Sequence, residues 1–340
     1  MRLAQLDRDH AVELLETALR SNPFNAQANI ELGLRYEADG DPDHAEKLLL
    51  QAFEVDKSFR PRWSLANFYL RRNNMPAFWY WARQAAEMPS EDMGALFALC
   101  WRVSPDADTI SNALPNGKPE VNRQYLKFLL ARDQLAAAPA AASLLIRTGA
   151  PDVDREQLLS VVNRLILSNQ GAAASELWRQ LIQQNWVFPD TALPYNGRFA
   201  RAPLPARFDW ALAAYPGLHS WPGNAGLETE FTGEEPDSCA IAEQYLLLTP
   251  GNYRLRYLYR TADIPPGTGI TWQVIDAKSG DERATSTPLS SDTPKEAELT
   301  FKVAPGASLL RVRLGYQRTF GTPRVSGTLV TQWALIEASR

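Results

Sequence analysis

Two hydrophobic periodicities divide this chain. In the first half, apolar and small residues recur at i, i+3, i+4 and i+7, the spacing of one helix face. His10-Ala11-x-x-Leu14-Leu15-x-x-Ala18-Leu19 returns 34 residues later as His44-Ala45-x-x-Leu48-Leu49-x-x-Ala52-Phe53. It returns again 33 residues on as Ala77-Phe78-x-x-Trp81-Ala82-x-x-Ala85-Ala86. Between these copies, Leu32-Gly33-x-x-Tyr36 matches Leu65-Ala66-x-x-Tyr69. A small residue beside a bulky one lets two antiparallel helices approach closely. Asn22-Pro23, Asp39-Gly40-Asp41-Pro42 and Asn73-Asn74-Met75-Pro76 read as the turns between them. Beyond Pro89 the period blurs, but the pattern still predicts helices over roughly 91–102, 118–132, 134–148, 154–168 and 171–185.

After Trp186 the pattern changes. Pro189, Pro194, Pro203 and Pro205 end the helical run. Strict alternation follows, the mark of half-buried strands. Tyr253, Leu255, Tyr257 and Tyr259 point one way, and Arg254, Arg256 and Arg260 the other. Leu310, Val312, Leu314 and Tyr316 oppose Leu309, Arg311 and Arg313. Leu299, Phe301 and Val303 form a third apolar set, and Ile270, Trp272 and Val274 a fourth. Further strands are expected near 227–231, 241–248 and 326–337, with turns at Pro250-Gly251, Pro265-Pro266-Gly267 and Pro305-Gly306. About eight antiparallel strands suit a jelly-roll sandwich. The expected organisation is therefore α + β and multidomain. A helical-repeat solenoid spans 1–188, a Pro-rich linker 189–205 and a sandwich 206–340, the linker acting as a semi-rigid joint.

Composition narrows the function. The net charge is −4 and both halves are near neutral, which argues against the basic face of a nucleic-acid binder. No apolar run approaches the roughly 18 residues of a membrane span. The two cysteines, Cys100 and Cys239, fall one in each half and read as small buried residues. With three scattered histidines they make a zinc site improbable. His10 and His44 hold the same repeat position and read as helix-start residues; His219 has no evident partner.

The first half resembles the tetratricopeptide repeat, on Leu32, Gly33, Tyr36, Ala45, Leu49 and Ala52, with a weaker copy at Leu65, Ala66, Tyr69, Ala82 and Ala85. The weaker copy has Phe78 where the repeat has a small residue. The resemblance implies a concave face that holds a protein partner. In the second half, Tyr195-Asn196-Gly197-Arg198-Phe199, Phe208-Asp209-Trp210, Gln244 with Pro250-Gly251-x-Tyr253-x-Leu255-x-Tyr257, and Gly327-Thr328-Leu329 look like galactose-binding-like domains of carbohydrate-binding modules. Such a sandwich after helical repeats is similar to proteins encoded among bacterial exopolysaccharide-synthesis genes. Many of these carry an N-terminal anchor or signal. The start Met1-Arg2-Leu3-Ala4 has no signal-peptide core. The expected location is the periplasm or envelope if a leader precedes Met1, and the cytoplasm otherwise.

Sugar binding by such sandwiches rests on aromatic faces with polar groups beside them. Trp210 and Trp272 share faces with core residues, and Trp333 is a further aromatic candidate. Tyr245 falls on the face opposite Leu246 and Leu248, and is expected beside Arg254 and Arg256. Trp221 sits in a Pro/Gly-rich loop. The candidate glycan site is thus Tyr245, Arg254, Arg256, Arg313 and Trp221. With Arg260 and Arg311 on neighbouring strands the arginines would form a basic stripe for an acidic polysaccharide. An ordinary solvated face is the alternative, and docking against the helices a third reading. Glu228 with Glu230, and Glu234, Glu235 and Asp237, suit solvated loops or a structural calcium better than the carboxylate pair of a glycosidase. No cofactor is expected. The sum is a non-enzymatic binding or scaffold protein of a bacterial polysaccharide system, or alternatively an adaptor whose sandwich is purely structural.

Overall fold

The computed structural model describes residues 2–88, 92–114, 117–306 and 308–339, with side chains from His10 onward. The chain divides into two compact units, Met1–Gly149 and Ala150–Arg340.

Unit 1 is helical: α1 (Arg2–Ser21), α2 (Ala26–Ala38), α3 (Pro42–Val55), α4 (Phe59–Arg71), α5 (Met75–Ala86), α6 (Gly94–Val103), α7 (Ala107–Ala113), α8 (Pro119–Ala131) and α9 (Ala138–Thr148). The turn residues do what their chemistry allows. Asn25, Asp41 and Asn74 cap α2, α3 and α5 by accepting the N–H groups of Ala28, His44 and Ala77. Pro42 and Pro76 open their helices where no N–H is needed. The small residues mark close approach. A Cβ on Gly33 would stand 3.1 Å from Leu49 Cγ and 3.2 Å from the Ala45 carbonyl. Ala45, Leu49, Ala52, Leu65, Ala66, Phe78, Ala82 and Ala85 are all fully buried. Phe78 thus fills the position where the repeat has a small residue. His44 does open α3, stacked on Tyr36 at 5.5 Å with Nδ1 2.6 Å from Asp41. His10, by contrast, lies inside α1 rather than at its start. Helix α7 was not legible in the sequence, and Glu91 of the expected 91–102 helix lies outside the described residues.

Unit 2 begins with two helices, α10 (Pro151–Leu167) and α11 (Gly171–Gln183). Ten strands follow: β1 (Ala211–Leu212), β2 (Leu218–Gly223), β3 (Gly226–Thr232), β4 (Ser238–Leu248), β5 (Gly251–Ala262), β6 (Ile270–Asp276), β7 (Glu282–Thr285), β8 (Lys295–Val303), β9 (Ser308–Gln317) and β10 (Ser326–Ala338). They form two antiparallel sheets, sheet A in the order β1-β4-β9-β6-β7 and sheet B in the order β2-β3-β10-β5-β8. From β3 to β6 each strand crosses to the other sheet, which is jelly-roll topology. The inward sets named by alternation are buried, and Trp272 packs 5.9 Å from both Trp210 and Tyr257 at the centre.

Two expectations about organisation change. The division falls at 149/150 and not at 188, so the α10–α11 hairpin belongs with the sandwich. A Cβ on Gly171 would meet Leu309 at 3.2 Å and Leu247 at 3.4 Å, so α11 starts directly on sheet A. Trp178 packs on Tyr195 and Phe208 at 5.1 and 6.0 Å. The segment 189–205 is likewise no free joint. The amides of Ile336 and Ala334 donate to the carbonyls of Leu193 and Gly197, completing the part of β10 that β3 does not reach. The Gln244 side chain donates to the Tyr195 carbonyl, and the Trp210 indole N–H to the Asn196 carbonyl. Tyr195, Asn196, Phe199, Trp210 and Gln244 are buried. The Tyr195-Asn196-Gly197 motif, with Gln244 and Trp210, is therefore a structural closure of the sandwich edge.

Candidate functional site

The jelly-roll crossing decides where the five expected site residues stand. Strands β4 and β5 follow one another in sequence but belong to opposite sheets. Their outward side chains therefore leave the sandwich on opposite sides. Tyr245 and Arg313 lie on the outer face of sheet A, while Arg254, Arg256 and Trp221 lie on that of sheet B. The continuous basic stripe does not form.

On sheet B, Arg254 and Arg256 are matched by carboxylates, while Arg260 makes no ion pair among the described residues and Arg254, like Arg311, has a buried Nε without a hydrogen-bond partner there. Arg254 pairs with Glu337 at 3.1 Å. Arg256 pairs with Glu296 and reaches Glu337 at 3.5 Å, its guanidinium pKa raised by the Glu296 hydrogen bond, and it stands 5.8 Å from the Trp333 ring. Trp221 is not in a loop but on edge strand β2, opposite Glu228 and 42% exposed. It lies three strands from β5, about 14 Å at the usual spacing of neighbouring strands. Of the acids that suit solvated loops or a calcium, two are engaged within the fold. Glu235 is buried and accepts the amides of Gly233 and Val325, and Asp237 pairs with Arg318 and Arg324. Among the described residues no group of three or more His, Cys, Asp or Glu is gathered for a metal.

On sheet A the balance is different. Glu243 and Tyr245 alternate outward on β4, across from Arg313 and Arg311 on β9. The single Glu243 carboxylate takes Arg313 at 3.2 Å and Arg311 at 3.6 Å. The buried Nε of Arg311 has no hydrogen-bond partner among the described residues. A third guanidinium, Arg207, lies 5.4 Å from the Tyr245 ring and has no ion pair among the described residues. Its backbone is fixed on both sides: its carbonyl accepts the Tyr245 amide at 2.7 Å, and its amide donates to Asn163 Oδ1 of α10 at 2.8 Å. Three cations thus surround one carboxylate and one aromatic ring.

This cluster borders a cleft of about 560 Å³ lined by Asn163, Pro203–Arg207, Trp210–Leu212 and Glu243. A second hollow of about 340 Å³ shares Ala211, Leu212 and Glu243 with it and reaches Tyr215, Cys239 and Arg313. Burial pushes the Cys239 thiol up to about 11, so it meets the hollow as a neutral group. Both volumes are in the range of small-ligand pockets. At its far end the same sheet face is covered, where α11 rests on Leu247 and Leu309. Alternation had placed Tyr245 and Arg313. Glu243 was legible by the same alternation, two residues before Tyr245. Arg207 and Asn163 were not, because one sits in a segment that reads as linker and the other on a helix distant in sequence.

Unit 1 has its own groove, of about 620 Å³, between α4 and α6. Trp63, Ala98, Leu99 and Trp101 make it apolar, and Asn67, Arg102 and Arg132 make it polar. Neither arginine has an ion pair among the described residues; Arg132 lies 4.9 Å from the Phe128 ring.

Both units have structural likenesses. The module TmCBM61, solved in complex with β-1,4-galactotriose, is 16% identical and covers 44% of this chain and 100% of its own, at a TM-score of 0.30. A carbohydrate-binding module of Cellvibrio mixtus lichenase 5A, solved with cellotriose, is 9% identical and covers 38% and 92%, at 0.25. YrrB, described as a TPR protein with an unusual peptide-binding site, is 14% identical and covers 53% and 95%, at 0.26. No family model matches the sequence, and no curated protein matches it.

Proposed function

We propose that this is a non-enzymatic binding and scaffold protein of a bacterial polysaccharide synthesis or export system, with a glycan held on sheet A and a protein partner in the groove of unit 1. One observation carries the glycan half: a largely apolar cleft that holds Arg207 and Glu243 lies next to the Tyr245 ring and to Arg311 and Arg313, so that three guanidinium groups share one carboxylate on this face. Sugars need such a mixture, since their C–H faces pack on apolar surface while their hydroxyls require fixed polar partners. The groove of unit 1 offers two tryptophans with two unpaired cations, which suits a peptide carrying apolar and acidic side chains. The pairing of a repeat unit with such a sandwich in one chain supports the polysaccharide setting.

A glycan array on the full chain tests the reading. Selective binding that Tyr245→Ala and Arg313→Ala abolish, and that Arg256→Ala leaves intact, is the expected result. Loss through Arg256→Ala alone would move the site to sheet B. No binding to any glycan would favour a second reading, an adaptor whose sandwich braces the helices. The specific observation behind that reading is the burial of Leu309 under α11.

A further inference from the structure

The sheet A cleft discriminates by charge. Arg207 lines it, Arg313 lines the adjoining hollow, and both hollows share the single carboxylate of Glu243, which Arg311 also pairs with. Glu243 sits between two arginines and cannot satisfy both guanidinium groups fully. Its distance to Arg311, 3.6 Å, is an ion pair but not a hydrogen bond. Arg311 therefore keeps a buried Nε–H without an acceptor among the described residues. A buried donor left unmade costs stability, and with Glu243 held by two arginines the accessible guanidinium groups of Arg207 and Arg313 are left to meet an incoming anion. Arg207 makes no ion pair with Glu243 among the described residues; it lies 5.4 Å from the Tyr245 ring, and its backbone is pinned to α10 and β4. These side chains are half-buried, so salt screens them less than it does the exposed pairs of sheet B.

We propose that the ligand of this cleft is a carboxylate-bearing saccharide, a uronate-type sugar whose acid group lies between Arg207 and Arg313, which line the two adjoining hollows. The inference rests on the cleft being a glycan site. The acid takes the acceptor role that Glu243 fills incompletely, in the paired geometry guanidinium offers to carboxylates. The remaining hydroxyls meet Asn163 and the backbone of 203–207 at the rim.

Calorimetric titration of the full chain tests it. The probes are tetrasaccharides of galacturonate, mannuronate and guluronate, together with the same tetrasaccharides after reduction of their carboxyl groups to alcohols. At least one acid form is expected to bind and its reduced form to bind at least ~10-fold more weakly, the scale of a hydrogen bond to a charged group. Arg313→Met is expected to weaken the acid form by a similar factor. Glu243→Gln removes the competing carboxylate and is expected to tighten it, a gain that misfolding cannot mimic. If acid and reduced forms bind alike, or if Glu243→Gln weakens the acid form, the charge inference falls while the glycan reading stands. If none of the six binds, the charge inference falls, and the glycan array decides separately whether the glycan reading falls with it.

Discussion

The two outer faces of the sandwich carry the same sequence device and put it to different ends. Each has a strand with outward arginines two residues apart, Arg254 and Arg256 on β5, Arg311 and Arg313 on β9. On sheet B the neighbouring strands β8 and β10 bring Glu296 and Glu337, and the charges close on themselves. On sheet A the neighbouring β4 brings only Glu243, and the segment before β1 adds Arg207. Arginine on alternate positions is thus neutral ground in one place and a cation surplus in the other. The neighbours across the sheet decide, not the strand itself.

The comparison breaks most severely if the hairpin is removed. A fragment beginning at residue 190 loses α10, α11 and the anchor of Arg207, and exposes Leu247 and Leu309. A fragment beginning at Ala150 keeps them. The first is expected to melt many degrees below the second, or to lose cooperative unfolding, in thermal melts followed by circular dichroism. Equal melting would show that the sheet A face stands without its helices.

A smaller cut is Leu309→Ala. This leucine is buried under α11, so the change is expected to cost about 2–4 kcal/mol in urea unfolding. Leu335→Ala on the outer face of sheet B, where the side chain is only half-buried, is expected to cost less than about half as much.

Smaller again is Arg254→Met. Its pair with Glu337 is exposed on both sides, so the loss is expected to be about 0–1 kcal/mol and to shrink in high salt. A larger, salt-insensitive loss would mean that sheet B, too, depends on its charges.

The smallest effect is a drift with pH at Asp209, which fixes the segment beside the cleft by accepting the amides of Leu204 and Trp210. Burial raises its pKa above the usual aspartate value. The folded state then holds the proton more tightly than the unfolded chain. Stability relative to Asp209→Asn is therefore expected to be highest below the unfolded pKa and to decline as pH rises through the raised one. Melting both proteins across that interval checks the sign; a wild-type advantage that grows with pH would contradict it.

Much of the architecture was legible in the sequence because it depends on neighbours along the chain. The 33–34-residue recurrence placed α2 to α5, the caps at Asn25, Asp41 and Asn74 set their starts, and alternation gave the inward face of β5, β8 and β9 without error. Alternation also put Tyr245 and the arginines outward. It could not say which outside, because parity along a strand carries no information about which sheet the strand joins. That choice belongs to the jelly-roll crossing, made by long-range pairing such as Tyr245 with Arg311 and Arg256 with Leu335. The same limit hid the closure of the sandwich edge. Prolines at 189–205 show that a helix ends, but only the packed structure shows that Tyr195, Asn196 and Gly197 then meet Gln244, Trp210 and Ala334. Periodicity thus determined the inward faces of the strands, while the burial of Leu309 under α11 and of Tyr195 in the closure came from tertiary contact. Tertiary contact alone decided which charges remain without a partner, since an ion pair requires two residues close in space and sequence order fixes only one of them.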